Sequence, residues 1–263
     1  MLAAVIEGTK LVSRPAVSEL QRFSGCFFRL SYAPGVSVQT LPDPSSYLIV
    51  ELPTIGAPRC VISGPRLKTV RSASTEAVTI VGIRLRPAVA HLLTGVSAER
   101  WVGCREPFDR PSGSVGSNLA LAISQAASTD AQFDLLESFL VARLAGKEID
   151  RRVCLALHLI QQSRGALRVS EIARRCGISC RQLERLLGTW VGISPKPLAR
   201  IARFQAALVS AGEQPASEWA YVAAEQNYVD QAHLIHEFSE FTGASPTRFT
   251  PLSSANYFKA NCD

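Results

Sequence analysis

Histidine and methionine are scarce in this chain: four and one, respectively, among 263 residues. The histidines are His91, His158, His233 and His236. They form no set of paired ligands with carboxylates in the N-terminal part, so neither a metal nor a cofactor is predicted. Cysteine is present, as Cys26, Cys60, Cys104, Cys154, Cys176, Cys180 and Cys262, but in odd number, widely spaced and without a CxxC. That pattern excludes a disulfide framework and a structural zinc site. Cys176 and Cys180, four apart, read as small, partly buried thiols of a reducing cytosol. A zinc-held, methyl-accepting cysteine needs a cluster of four, and Cys26, Cys60 and Cys104 are too few and too scattered. No GxSxG and no glycine-rich phosphate loop occurs, so the chain does not read as an enzyme. No run approaches the roughly 18 uncharged apolar residues of a membrane span. The apolar run Leu2–Ile6 lacks a preceding positive charge and makes a poor signal peptide. A soluble, cytoplasmic protein without a membrane partner is expected.

What is present is uneven charge. The net charge is +6, but Arg164 to Arg203 holds nine basic residues against Glu171 and Glu184, a local balance of +7. From Gly212 to Asp263 seven acids face Arg248 and Lys259, a balance of −5. The first segment is built to meet phosphate and its neighbour is not.

Hydrophobic residues make up 47% of the chain and charged residues 19%, enough apolar surface for ordinary cores, and the length suits two domains. The first 85 residues read as strands. Phe23–Tyr32, Tyr47–Leu52, Arg59–Ser63 and Ala77–Leu85 are β-rich runs bounded by Pro, Gly and Asp clusters, predicting a small barrel or sandwich. Past Pro87 the period changes. A short helix with Val89, Leu92 and Leu93 ends at Gly95, a loop covers Pro107–Ser117, and helices follow at Leu119–Ala127 and Phe133–Leu144. Everything after Ile149 reads as helix. The fold class is thus α+β, with domains at 1–146 and 147–263.

The segment Val169–Val191 reads as a helix-turn-helix. Ile172, Ala173 and Cys176 mark the apolar side of its first helix. Gly177 supplies the left-handed turn, and Ser179 stands at an N-cap. Leu183, Leu186, Leu187 and Trp190 form one stripe. Arg181, Gln182, Glu184 and Arg185 are left facing outward, side chains suited to base edges in a major groove. Gly192-Ile193-Ser194-Pro195 recurs 51 residues later as Gly243-Ala244-Ser245-Pro246. Ala220–Asn227 provides a matching first helix. A long helix over Pro197–Ala211, with Leu198, Ile201, Ala202, Gln205 and Leu208 on one side, joins the two units. Such units would meet successive major grooves.

Ser170–Ser179, Leu183-Glu184-Arg185, Gly192–Pro195, Tyr228–Leu234 and Phe241–Pro246 together resemble the AraC/XylS family of bacterial regulators, over about residues 150–250. The resemblance implies double-stranded promoter DNA as partner and RNA polymerase beside it. It also implies an N-terminal, cupin-like sensor and dimerisation domain responding to an unidentified small effector, and a role as activator. The base contacts it implies are Arg181, Glu184 and Arg185, then Gln231, His233 and His236; the reading of the segment itself adds Ser179 and Gln182 at the DNA-facing start of the second helix, and the local positive excess gives Arg174, Arg175 and Arg200 as phosphate contacts. Asn227 stands where the family carries the turn glycine, and His236 where it carries arginine. The alternative is a regulator working mainly through protein contacts, with weak DNA affinity. Arg84, Arg86 and His91 read either as an anion site or as solvated strand ends and a satisfied helix histidine.

Overall fold

The computed structural model of the chain describes residues 3–4, 9–109, 113–213 and 219–249. The readings of Cys262, of most of the Leu2–Ile6 run and of the middle of the Pro107–Ser117 loop lie outside these residues. The strands are β1 (Ala3–Ala4), β2 (Thr9–Pro15), β3 (Ser24–Tyr32), β4 (Ser37–Thr40), β5 (Ser46–Pro53), β6 (Arg59–Ser63), β7 (Val70–Ala73), β8 (Val78–Leu85) and β9 (Arg105–Pro107). They form two antiparallel sheets, ordered β2-β3-β8-β5-β6-β9 and β1-β4-β7. The four runs legible in the sequence are the consecutive centre of the larger sheet, β3-β8-β5-β6.

Those four strands are buried on both faces, which is why they are so continuously apolar. The period of two sorts their residues. Phe27, Leu48, Val50, Ile62, Val81 and Ile83 gather on one face. Phe28, Leu30, Ile49, Val61 and Ile80 gather on the other. The first face is covered by helices α2 (Val115–Gln125) and α3 (Thr129–Leu144) through Leu119, Ile123, Phe133, Leu136 and Leu140. Both helices begin four residues earlier than their apolar periodicity predicts. The predicted short helix is α1 (Val89–Thr94).

Arg84 is neither a solvated strand end nor part of an anion site. Its Nη2 lies 3.2 Å from Oδ1 of Asp43, whose other oxygen accepts from the Tyr47 hydroxyl. Asp43 and Tyr47 are buried. Burial pushes the Asp43 carboxyl up, but the adjacent Arg84 charge and its hydrogen bonds win and hold it well below the usual carboxylate range. Arg86 donates from Nε to the Gln21 carbonyl at 2.8 Å. His91 is elsewhere: its Nδ1 meets the Val96 carbonyl at 2.9 Å and its ring meets Trp190 at 4.5 Å.

The remaining helices are α4 (Arg151–Gln162), α5 (Val169–Arg175), α6 (Cys180–Val191), α7 (Pro195–Glu213), α8 (Trp219–Glu225) and α9 (Gln231–Thr242). They share one apolar core, which also takes in Leu41 and Ala88 from the N-terminal part. The seam between the two parts is tight. α6 packs on α1 and on the 3-10 turn Ala98–Trp101. Gly192 has φ +83°, and a Cβ there would lie 2.6 Å from the Ala98 carbonyl oxygen; at Gly188 it would lie 2.4 Å from Oε1 of Glu99. Gln205 donates to the Pro42 carbonyl at 3.0 Å, and the Thr69 amide to the Phe241 carbonyl at 2.9 Å. Lys147 donates from Nζ to the Leu92 carbonyl at 2.9 Å. Among the described residues no helix is long and apolar enough to cross a membrane.

Candidate nucleic-acid interface

The first unit is α5, a turn and α6. Cys176 ends the helix, Gly177 takes φ +68°, and the Ile178 amide closes on the Ala173 carbonyl at 3.1 Å. Ser179 then caps α6 in a full capping box. The Gln182 amide donates to Ser179 Oγ at 3.2 Å, and Gln182 Oε1 accepts from the Ser179 amide at 2.9 Å. Ser179 and Gln182 are therefore occupied with the helix start; the Gln182 side-chain NH2 is left to donate outward. Leu183 and Leu187 are fully buried, while Leu186 and Trp190 are partly so. Arg181, Glu184 and Arg185 are exposed and make no ion pair among the described residues. Of the cysteine pair, Cys176 is buried and Cys180 exposed.

Arg174 and Arg175 are exposed on α5, but both reach Glu171. Arg174 donates from Nε and Nη2 at 2.8 Å each, and Arg175 from Nε at 2.6 Å. These bonds, Arg174's first, hold the Glu171 carboxyl down at about 2.

Helix α7 is longer at both ends than its stripe predicts. Leu198, Ile201 and Leu208 are buried as expected. Its centre is Phe204, absent from the predicted stripe, which packs against Phe238 at 5.3 Å and Phe241 at 4.9 Å.

The second unit repeats the first with two changes at its turn. Asn227 replaces glycine at the turn and adopts φ +60°, a conformation asparagine tolerates better than most residues. The Tyr228 amide closes on the Ala223 carbonyl at 3.0 Å, 50 residues after the Ile178–Ala173 bond (178 to 228, 173 to 223). The caps, however, are 51 apart: Asp230, whose Oδ1 accepts from the His233 amide at 2.7 Å, corresponds to Ser179. The extra residue is Val229, 86% exposed.

On α9 the predicted contacts separate. Gln231 and His236 are exposed. His233 turns inward: its Nδ1 accepts from the Val229 amide at 3.4 Å, its ring meets Tyr228 at 5.3 Å, and its Nε2 is 3.9 Å from Glu237. Arg200 does not stand free for phosphate. Its Nε lies 3.0 Å from Oε2 of Glu237 and its Nη2 2.5 Å from Oε2 of Glu240. Arg203 bonds the same Glu237 oxygen at 3.0 Å. Burial, with the Glu237 charge beside it, pushes the Tyr228 hydroxyl above its ordinary range. With these pairs removed from each side, seven bases face two acids in the first segment and five acids face two bases in the second. The contrast shrinks from +7 against −5 to +5 against −3. Glu237, Arg203 and Tyr228 were missed from the sequence. The available signal was Glu237 itself, a charge in the stripe Leu234-Glu237-Phe238-Phe241 where the first unit has Leu186.

The family model described as a helix-turn-helix domain matches residues 172–251, spanning both units. This part of the chain is a DNA-binding domain of a transcription regulator. The double unit is similar to the helix-turn-helix domains of the AraC/XylS regulators. No curated protein matches the chain. Among solved structures, ToxT from Vibrio cholerae O395 is 7% identical with a TM-score of 0.46, over 95% of this chain and 99% of that one. Unsaturated fatty acid bound wild-type ToxT from Vibrio cholerae strain SCE256 is 10% identical with a TM-score of 0.43, over 97% and 95%.

Proposed function

We propose that residues 147–263 bind promoter DNA sequence-specifically, with α6 in a major groove, and that residues 1–146 control this binding as a sensor and dimerisation domain. The observation that carries the reading is the outward face of α6: Arg181, Glu184 and Arg185 are exposed and make no ion pair among the described residues, on a helix whose back is buried. Arg181 and Arg185 suit guanine edges and Glu184 a cytosine amine. Arg174 and Arg175 fit phosphate contacts, since an exposed carboxylate pair yields readily to a phosphate. Gln231 and His236 are the base contacts of the second unit; His233 supports its turn, and Arg200 supports its helix. The role is that of an activator acting beside RNA polymerase, under an effector of unassigned chemistry.

Selection of bound sequences from random duplex DNA by the full chain tests this. A defined motif is expected, and Arg185→Ala is expected to weaken it more than His236→Ala, by about 1–3 kcal/mol for a lost bidentate contact. No enriched motif, with binding indifferent to both substitutions, rejects the reading. The exposed Val229 and the acidic balance of the second unit favour a second reading, regulation chiefly through protein contacts. Weak DNA affinity, with no salt-dependent binding of the selected duplex, would support it.

A further inference from the structure

The two recognition helices are fixed by different devices. α6 is held by an apolar stripe and by the turn Ala98–Trp101 behind Gly188 and Gly192. α9 carries a carboxylate in its stripe. Glu237 is 2% exposed, on the buried side of α9 with Leu234, Phe238 and Phe241. A charge taken out of water at such a position needs matched partners with good geometry. Its two guanidinium partners both come from α7, Arg200 Nε and Arg203 Nη2, each 3.0 Å from Oε2, while His233 Nε2 on its own helix stands farther off at 3.9 Å. The guanidiniums are themselves seated, Arg200 over the Phe241 ring at 5.1 Å and Arg203 over the Tyr228 ring at 4.8 Å. Arg200 also grips Glu240 one turn on. The cluster thus ties three pieces together: the joining helix, the turn of the second unit and its recognition helix.

We propose that Glu237 is a positioning residue for DNA readout: bridging Arg200 and Arg203, it fixes α9 on α7 and so sets the spacing at which the second unit meets DNA relative to the first. Apolar stripes tolerate small rotations because dispersion contacts are non-directional, whereas a carboxylate between two guanidiniums holds only at one rotation and height. The inference rests on the DNA-binding reading above. It adds that a residue which touches no base decides which half-site spacing is accepted.

The test uses the full chain and its Glu237→Gln variant, which keeps the side-chain shape and removes the charge. Affinity is measured for the selected duplex, for one with a single base pair inserted between its halves, and for one with the second half scrambled. Wild type should prefer the native spacing by about tenfold or more, the size of one lost base contact. Glu237→Gln should reduce that preference to a few-fold while binding the scrambled site like wild type. Hydrogen exchange without DNA should speed up in Gln231–Thr242 and stay unchanged in Cys180–Val191. Glu237→Leu, which copies the first unit's Leu186, separates charge from packing. A Glu237→Leu protein as stable as wild type but without spacing preference supports the proposal. One that keeps the preference overturns it, as does unaltered exchange and preference in Glu237→Gln. If wild type binds no duplex, the functional reading fails, and exchange of Gln231–Thr242 alone decides whether Glu237 fixes the helix.

Discussion

Replacing Glu171 by glutamine tests how α5 meets phosphate. In the free protein Glu171 accepts three hydrogen bonds from Arg174 and Arg175, and its carboxyl, held down at about 2, is ionised at any working pH. Duplex DNA competes with it for both guanidiniums. Each phosphate neutralised adds about 0.9 to the slope of log affinity against log salt. Glu171→Gln should therefore steepen that slope by up to about 1.8 as both arginines engage. Between 50 and 200 mM salt, a fourfold change, the variant should lose about 12-fold more affinity than wild type, starting from tighter binding at the low end. Arg174→Ala should do the reverse, flattening the slope by the part of about 0.9 that Arg174 already contributes in wild type, so that this loss and the Arg174 share of the Glu171→Gln gain together come to about 0.9. Arg200→Ala should leave the slope alone, because that cation is matched by Glu237 and Glu240. All three residues lie toward the surface, so melting temperatures measured alongside guard against unfolding. Fluorescence anisotropy at several salt concentrations is sufficient. An Arg200→Ala slope as flat as that of Arg174→Ala would refute this division of roles, as would wild-type slopes in both Glu171→Gln and Arg174→Ala.

Asp43→Asn strands Arg84 in a buried site and should cost about 3–5 kcal/mol in urea denaturation. Because the folded Asp43 pKa is depressed, its contribution is present above about pH 4 and is lost as pH falls through the lower folded value. The wild-type advantage over Asp43→Asn should shrink on acidification below pH ~4, and a constant gap would count against the pairing. Leu183→Ala opens a cavity at a fully buried site and should cost about 2–5 kcal/mol by thermal or chemical unfolding. Gly192→Ala sets an alanine at φ +83°, costing about 1–2 kcal/mol, and presses its Cβ onto the Ala98 carbonyl. Faster hydrogen exchange at Ala98–Trp101 should accompany that loss, and stability equal to wild type would mean the seam gives way freely.

What the sequence made legible was periodic or punctuated. The four central strands stand out because both their faces are buried, and Arg59–Ser63 matches its predicted bounds. The first unit stands out because Gly177, Ser179 and the Leu183-Leu187 stripe each obey a local rule. β7, Val70–Ala73, is exposed along its whole length, so no alternation marks it. β2 and β4 pair at sheet edges or in the small sheet and carry mixed residues. The ion pairs were invisible for another reason. Asp43 and Arg84 are 41 residues apart, and Arg200 and Glu237 37 apart, so neither pair follows from helix or strand spacing. By segment, Arg200 falls among the phosphate-facing cations and Glu237 among the acids opposing DNA, whereas in the fold they neutralise each other. The extra residue in the second turn is hidden because the glycines that follow each recognition helix, Gly192 and Gly243, already keep the 51-residue spacing.

The glycines behind α6 bear on whether the double unit can be transplanted. Gly188, Gly192 and the edge of Trp190 form a seat shaped by the turn Ala98–Trp101 and by His91. Grafted onto a foreign input domain, the unit would present a bare backbone notch and an uncovered indole where its own turn had rested. A working chimera must bring an equally small-profiled turn to fill that notch, or replace both glycines with side chains that close it. The cut that suits an engineer thus lies upstream of Val89, so that α1 and the turn travel with the helices they brace, rather than in the short connection that follows Leu144.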